Sequence, residues 1–263
     1  MAYDSNDERI YWSDVSHKFI ASSNLDGEEF RTWNHSNIET PEFLAIDYLG
    51  RNFYYSDSTK QLIGVCTLRG AYCQVVIKHG LTNPRGIAVQ SDQGLLAYSN
   101  WDDNLDNHPH IGLSGMDGEN RVILVNESVR WPNGIAFDMP SNRLFWGEAY
   151  FDLLESIRLD GTGRISVKPA TKFMSLHPFS VAVFEDTIYW SDYQLRNIQS
   201  CHKFTGENHK VVVEPASIQT YGIQIWHELL EPPLYSPCNH ERCAHICLIK
   251  KGGLEGVCKC ATS

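Results

Sequence analysis

The sequence predicts an all-β fold of propeller type, built from repeated four-stranded units, and three observations carry that expectation. An aromatic-aromatic-small-acidic tetrad recurs as Tyr11-Trp12-Ser13-Asp14, Tyr54-Tyr55-Ser56-Asp57, Ala97-Tyr98-Ser99-Asn100, Phe145-Trp146-Gly147-Glu148 and Tyr189-Trp190-Ser191-Asp192. Its last member returns at intervals of 43, 43, 48 and 44 residues, a period that signals a propeller or solenoid. No long apolar stretch keeps a 3.6-residue period, whereas short β-type runs abound.

Each unit resolves into four strands. Ahead of tetrads two to five stand Thr40-Pro41, Asn83-Pro84-Arg85-Gly86, Trp131-Pro132-Asn133-Gly134 and His177-Pro178-Phe179-Ser180, each opening a short apolar strand. The tetrad is the second strand. A turn glycine follows at Gly27, Gly70, Gly118, Gly161 and Gly206, often after Asp, and Asp-Gly between extended runs is a strong hairpin signal because glycine accepts positive φ. Units of this size match propeller blades. Neighbouring strand residues point to opposite faces, so both rings of a tetrad are buried only if a blade is covered on both sides. Each ring contributes about 150–250 Å² of contact. The terminal acid reads as an acceptor for turn amides, an architectural role.

Composition narrows the function. A chain of 263 residues with 42% hydrophobic residues can bury a large core. Lys and Arg total 22 against 32 for Asp and Glu, a net charge of −10 that argues against gripping nucleic acid phosphates and favours a basic partner. No apolar run is long enough to span a membrane, and no signal peptide is expected in the polar, acidic stretch after Met1, so that a secretory signal would lie outside this chain. Five of the eight cysteines (Cys238, Cys243, Cys247, Cys258, Cys260) fall in the last 26 residues, a local disulfide framework.

These repeats, joined by Trp131-Pro132-Asn133-Gly134, by His177-Pro178-Phe179-Ser180 and by the downstream cysteines, resemble the YWTD repeats of the low-density lipoprotein receptor family. The stretch Ser200-Cys201-His202-Lys203-Phe204-Thr205-Gly206 is most similar to large endocytic members, such as lipoprotein receptor-related, megalin-like and yolk (vitellogenin) receptors. The resemblance implies a six-bladed propeller followed by an EGF-like module. Tyr221-Gly222-Ile223-Gln224-Ile225-Trp226 then reads as the first strand of blade six, whose other strands the family draws from sequence ahead of the first repeat. The resemblance also implies pairing of Cys238 with Cys247 and Cys243 with Cys258, leaving Cys260 without its sixth partner. Both ends read as those of a fragment of a longer polypeptide. Residues 1–229 are expected to form the N-terminally incomplete propeller (five full blades plus part of the sixth), 230–237 a Pro-rich stiff linker, and 238–263 a small truncated EGF-like module.

Cys66 and Cys73 flank the hairpin at Arg69-Gly70 and would staple it if their Cα atoms lie close enough. Cys201 is either a buried free thiol, the favoured reading, or the partner of Cys260.

Metal readings fare poorly. Asp102, Asn104 and Asp106 occupy positions one, three and five of an EF-hand-like loop, but Asn107 replaces the required glycine and Leu113 the required Glu. His240 and His245 beside Cys243, Cys247, Cys258 and Cys260 lack paired C-x2-C spacing, which suits disulfides better than zinc. No metal and no cofactor are expected. No phosphate-binding loop, nucleophile elbow or His-Glu-x-x-His motif is present, so the chain is read as non-catalytic.

Binding is the better reading. Loops entering first strands and leaving second strands gather at one end of a propeller, and such loops carry function. They bear Trp101, Asp102, Trp131, Asn133, His177, Phe179 and Tyr193, and the resemblance implies that the His177-Pro178-Phe179 positions and the aromatics after the tetrads help form a ligand-binding top face. Aromatics beside acids suit a protein ligand with basic or small apolar anchors. Packing between blades is the competing reading for Trp131 and Phe179. The sequons Asn34-His35-Ser36 and Asn126-Glu127-Ser128 make Asn34 and Asn126 candidate glycosylation sites. His177, His202, His227, His240 and His245 are candidate pH sensors, since endosomal acidification crosses the imidazole range.

The functional expectation is an extracellular segment of an endocytic lipoprotein or yolk-protein receptor, at the cell surface and in the endosomal lumen. Its partners would be a lipoprotein, a vitellogenin-like or another protein ligand, and at low pH the receptor's own ligand-binding repeats. Membrane attachment would come through parts outside the chain. The alternative is a matrix or signalling-coreceptor propeller that binds a protein partner directly.

Overall fold

The computed structural model describes residues 1–70, 72–102, 108–169, 176–215, 217–239 and 243–261. The first sheet joins β1 (Ala2–Asp4), β2 (Arg9–Asp14), β3 (Phe19–Asn24) and β4 (Arg31–Trp33). The second joins β5 (Pro41–Asp47), β6 (Asn52–Asp57), β7 (Leu62–Thr67) and β8 (Cys73–Ile77), and the third β9 (Pro84–Gln90), β10 (Leu95–Asn100), β11 (His110–Gly115) and β12 (Val122–Val125). The fourth contains β13 (Pro132–Asp138), β14 (Arg143–Glu148), β15 (Leu153–Arg158) and β16 (Ile165–Val167). The fifth contains β17 (Pro178–Phe184), β18 (Thr187–Asp192), β19 (Asn197–His202) and β20 (Lys210–Val213). Strands lie in chain order in every sheet, and neighbours in the first, second, fourth and fifth run antiparallel, as in Phe53 opposite Cys66 and Trp190 opposite Gln199.

Phase follows the sequence. Every tetrad ends its sheet's second strand, and from the second sheet onward the first strand opens on the proline. Gly27, Gly70, Gly118, Gly161 and Gly206 have φ between 72° and 84° and turn the third strand into the fourth. Opposite the tetrad ring of the second sheet lies Gly64, where a Cβ would sit 2.4 Å from Tyr55. Only a bare α-carbon leaves room for that ring.

The chain divides into two compact units. The first comprises Met1–Tyr98, Gly112–Val122 and Trp226–Ser263, and the second Ser99–Ile111 and Ile123–Ile225. In the first, Tyr11 packs against Trp33 and Phe53, and the Tyr54 hydroxyl donates to the Met116 carbonyl at 2.9 Å. In the second, Phe145, Leu154, Val181, Ile188, Trp190 and Cys201 form one buried cluster. Not every tetrad ring is enclosed on both faces as expected. Trp12 and Tyr189 are half-buried, and Trp12 meets Phe30, itself 58% exposed.

The expected strand at Tyr221–Trp226 is corrected: no strand is assigned there, because the described residues give it no ladder partner. Side chains hold it instead. The Ser180 hydroxyl accepts from Ile223 N, and the Ser191 hydroxyl donates to the Tyr221 carbonyl.

The C-terminal hairpin of β21 (Ile246–Ile249) and β22 (Gly256–Lys259) belongs to the first unit. Disulfides join Cys238 to Cys247, Cys243 to Cys258 and Cys66 to Cys73. Gly252 N donates to Gln93 O at 2.8 Å, Asn52 Nδ2 to Cys247 O at 2.8 Å, and the Ser236 hydroxyl to Leu49 O at 2.7 Å. The proline-rich segment is thus tied to the first unit by Ser236 and by Glu231, which accepts from the Ser5 hydroxyl.

Candidate protein-binding face

The site grows out of the tetrad acids. Asp57 accepts from Glu39 N and Thr40 N with one oxygen and from Lys60 N with the other. Glu148 accepts from Arg130 N, Trp131 N and Tyr150 N; Asp192 accepts from His177 N, Gln194 N and Leu195 N. A backbone bond repeats beside each acid: Ser58 N to Thr40 O, Ala149 N to Trp131 O and Tyr193 N to His177 O. One buried carboxylate therefore ties the loop entering a first strand to the loop leaving the second. Those are the loops that carry the candidate residues.

In the second unit these loops present a continuous run of rings. Trp131 lies edge-on to Trp101 at 5.9 Å, to Tyr150 at 5.2 Å and to His177 at 6.1 Å. His177 meets Tyr193 at 6.1 Å, Phe179 stacks on Tyr193 at 6.2 Å, and both Phe179 and Tyr193 meet Tyr221. Tyr150 (42%), Phe151 (42%), Tyr193 (39%) and Tyr221 (55%) are exposed, while Trp101, Trp131, His177 and Phe179 are half-buried. Aromatic pairs at these separations contribute about 0.5–1.5 kcal/mol beyond area burial, so the run is a stiff platform. Arg130 lies 4.0 Å over the Tyr150 ring. Burial pushes Glu148 up to about 7, against the pull of its three backbone donors.

Of the ligand-face residues expected from sequence, Trp101, Trp131, His177, Phe179 and Tyr193 come together here. Asp102 is half-buried in the same unit. Asn133 departs from the expected ligand-facing role: it is buried, its amide donates to Pro178 O at 3.0 Å, and its carbonyl accepts from the Ser99 hydroxyl. It positions the loops from beneath.

The remaining candidates scatter. His202, His227 and His245 each accept backbone N–H groups at Nδ1, from Phe204 and Thr205, from Leu229, and from Ala261. His240 lies outside the described residues, as do Asn104, Asp106 and Asn107 of the weighed calcium loop. Asn34 and Asn126 are exposed on loops. Cys201 is a buried free thiol whose burial pushes it up to about 12, and Cys260 is free and exposed.

Sequence reasoning missed Tyr150, Phe151, Tyr221 and Arg130. Tyr150 follows its tetrad by two positions rather than one, which hid it beside Trp101 and Tyr193. A repeated clip was also missed. Arg9 and Arg143, each opening a second strand, reach the serine 13 residues on (Ser22, Ser156) and the carbonyl 20 residues on (Glu29, Gly163).

The profile of the low-density lipoprotein receptor repeat class B matches residues 8–48 and 102–139. The vitellogenin receptor Yl of Drosophila melanogaster is 34% identical over 263 residues, 99% of this chain and 13% of that protein. The vitellogenin receptor of Solenopsis invicta is 36% identical over 208 residues, 79% of this chain and 11% of that protein. The chain thus spans under one sixth of either receptor. A human low-density lipoprotein receptor-related protein 5-like protein is 29% identical over 205 residues, 78% of each chain. Among solved structures, a chain of a nidogen/laminin complex superposes with a TM-score of 0.77 at 30% identity, covering 85% of this chain and 82% of that one. A streptogramin B lyase matches at TM-score 0.64 with 14% identity, covering 82% of this chain and 68% of the other, which shows the fold alone.

Fold and site together define a β-propeller in which the described residues form five four-stranded blades. The chain belongs to the low-density lipoprotein receptor family of YWTD-repeat proteins. Among the described residues no helix is long and apolar enough to cross a membrane.

Proposed function

We propose that the chain is an extracellular segment of an endocytic receptor for lipoprotein or yolk protein, and that it binds a protein ligand through the aromatic platform of the second unit. The observation that carries this reading is the unbroken run of rings from Trp101 to Tyr221, four exposed rings among them, on loops fixed from below by Glu148 and Asp192. Rigid, partly exposed aromatics are the side chains that dominate protein interfaces. The names of the two insect relatives support a vitellogenin-type cargo.

Residues 1–229 are read as an incomplete six-bladed propeller, 230–237 as its linker and 238–263 as an EGF-like module. A repeating clip supports a sixth blade. The tetrad serines of the first three sheets donate to Glu42 O, Arg85 O and Asn133 O, the residue after the proline that opens the next sheet, and Ser191 donates to Tyr221 O in the same manner. His177, held between Trp131 and Tyr193 with its backbone N–H on Asp192, is the candidate whose protonation alters the platform in the endosome.

The test is surface binding of an immobilised vitellogenin-type lipoprotein to the chain at about pH 7.4 and about pH 5.5. Binding that weakens at least tenfold in Trp131→Ala, about 1.4 kcal/mol, supports the platform. Unchanged binding in that variant rejects it. A second reading, a matrix-type propeller without a release role, is favoured by the likeness to the nidogen/laminin complex chain; equal affinity at both pH values selects it.

A further inference from the structure

The first unit carries a cleft of about 540 Å³ whose walls include His17, Lys18, Asn34, Glu39 and Lys60, with the buried Ile38 also lining it. Lys18 Nζ and Lys60 Nζ bracket the two oxygens of Glu39 at 3.2 and 3.0 Å, and His17 Nδ1 is fixed on Asp14 at 2.9 Å. These walls are rich in donors and acceptors and poor in apolar side chains, which suits a ligand of hydroxyl and amide groups. One wall is itself the acceptor of the sequon Asn34-His35-Ser36, and its side chain is exposed.

We propose that the core of an N-linked glycan on Asn34 occupies this cleft and forms part of the first unit's surface. In the secretory lumen the Asn34 amide nitrogen attacks C1 of a lipid-pyrophosphate oligosaccharide. The N–C1 bond forms as the C1–O bond to phosphate breaks, lipid pyrophosphate leaves, and the amide proton passes to the transferase's base. Once the chain folds, the first sugars lie against His17 and the Lys18–Glu39–Lys60 bridge. Asn126 is the internal contrast: Asn126, Glu127 and Ser128 are all exposed, and Arg164 takes the Glu127 and Ser128 carbonyls rather than leaving them to a sugar. The proposal needs only the extracellular route of the reading above, and its test involves no cargo, so either can fail alone.

The experiment secretes the full chain from a glycosylating host behind a cleavable leader. Peptide mass spectrometry reports occupancy, and amidase treatment of the folded chain reports the release rate at each site. Both sites are expected to be occupied, with the Asn34 glycan released about tenfold more slowly than the Asn126 glycan and the difference abolished by denaturation. His17→Ala with Lys60→Ala leaves the sequon intact and narrows the difference; should that pair fail to be secreted, Lys18→Ser serves the same purpose. An unoccupied Asn34, equal release rates in the folded chain, or a difference untouched by the wall variants overturns the proposal.

Discussion

The two units use one loop scaffold to bear chemically different side chains. In the second, the loops tied by Glu148 and Asp192 carry Trp131, Tyr150, His177 and Tyr193; in the first, the matching loops tied by Asp57 carry Glu39, Thr40 and Lys60. A carboxylate and the backbone bond beside it recur, while the side chains borne by the loops differ. The tetrad therefore fixes where a surface lies without fixing what it recognises.

Four measurements bear on the contrast between the units. The largest contrasts two rings of the same motif. Trp190→Ala empties a fully buried site in the second unit and is expected to cost about 3–5 kcal/mol, whereas Trp12→Ala in the first removes a half-buried ring at about 1 kcal/mol. Urea titration followed by circular dichroism ranks them.

Next is the hairpin contact that only the first unit has. A Cβ on Gly253 would lie 1.7 Å from Asp92 O at a φ of +73°, so Gly253→Ala is expected to cost about 2–3 kcal/mol locally. Hydrogen exchange should accelerate across Ile246–Ile249 and stay unchanged across β17–β19; acceleration in both would show the units to be one cooperative body.

The third concerns pH. Glu148 is raised to about 7 in the folded chain from an ordinary 4.5. Between those values the folded state holds the proton more tightly than the unfolded one, so this contribution is complete below about pH 4.5 and is lost as pH rises through about 7, by at most about 3 kcal/mol. Thermal unfolding of the wild type and of Glu148→Gln across that window should differ in slope. Parallel slopes would remove burial of Glu148 as their cause.

The smallest is the serine clip. Ser99→Ala in the second unit and Ser13→Ala in the first each remove one hydroxyl bond to the next sheet and should cost about 1 kcal/mol, more at the buried Ser99 than at half-buried Ser13. Denaturant midpoints of the two variants provide the measurement.

Much of this was legible in the residues. The tetrad, the strand-opening prolines and the turn glycines report local conformation, which the chain encodes within a few positions. The expected strand at Tyr221–Trp226 failed because a ladder needs a partner strand, which a local pattern cannot reveal. The platform was half legible: Trp101 and Tyr193 stand directly after their tetrads, whereas Tyr150 and Tyr221 join it only because Glu148 and Ser191 hold their backbones. Asn133 misled because its loop position and its burial are separate facts.

By itself the sequence determined the period, the four-stranded unit and the family, since each rests on backbone preferences repeated every forty-odd residues. Tertiary structure alone decided which tetrad rings are enclosed, that Gly252 of the hairpin bonds to Gln93, and that rings from four other segments meet on Trp131 and Tyr193. Those outcomes depend on contacts between residues far apart in the chain, where packing and buried hydrogen bonds choose among side chains that local pattern treats alike.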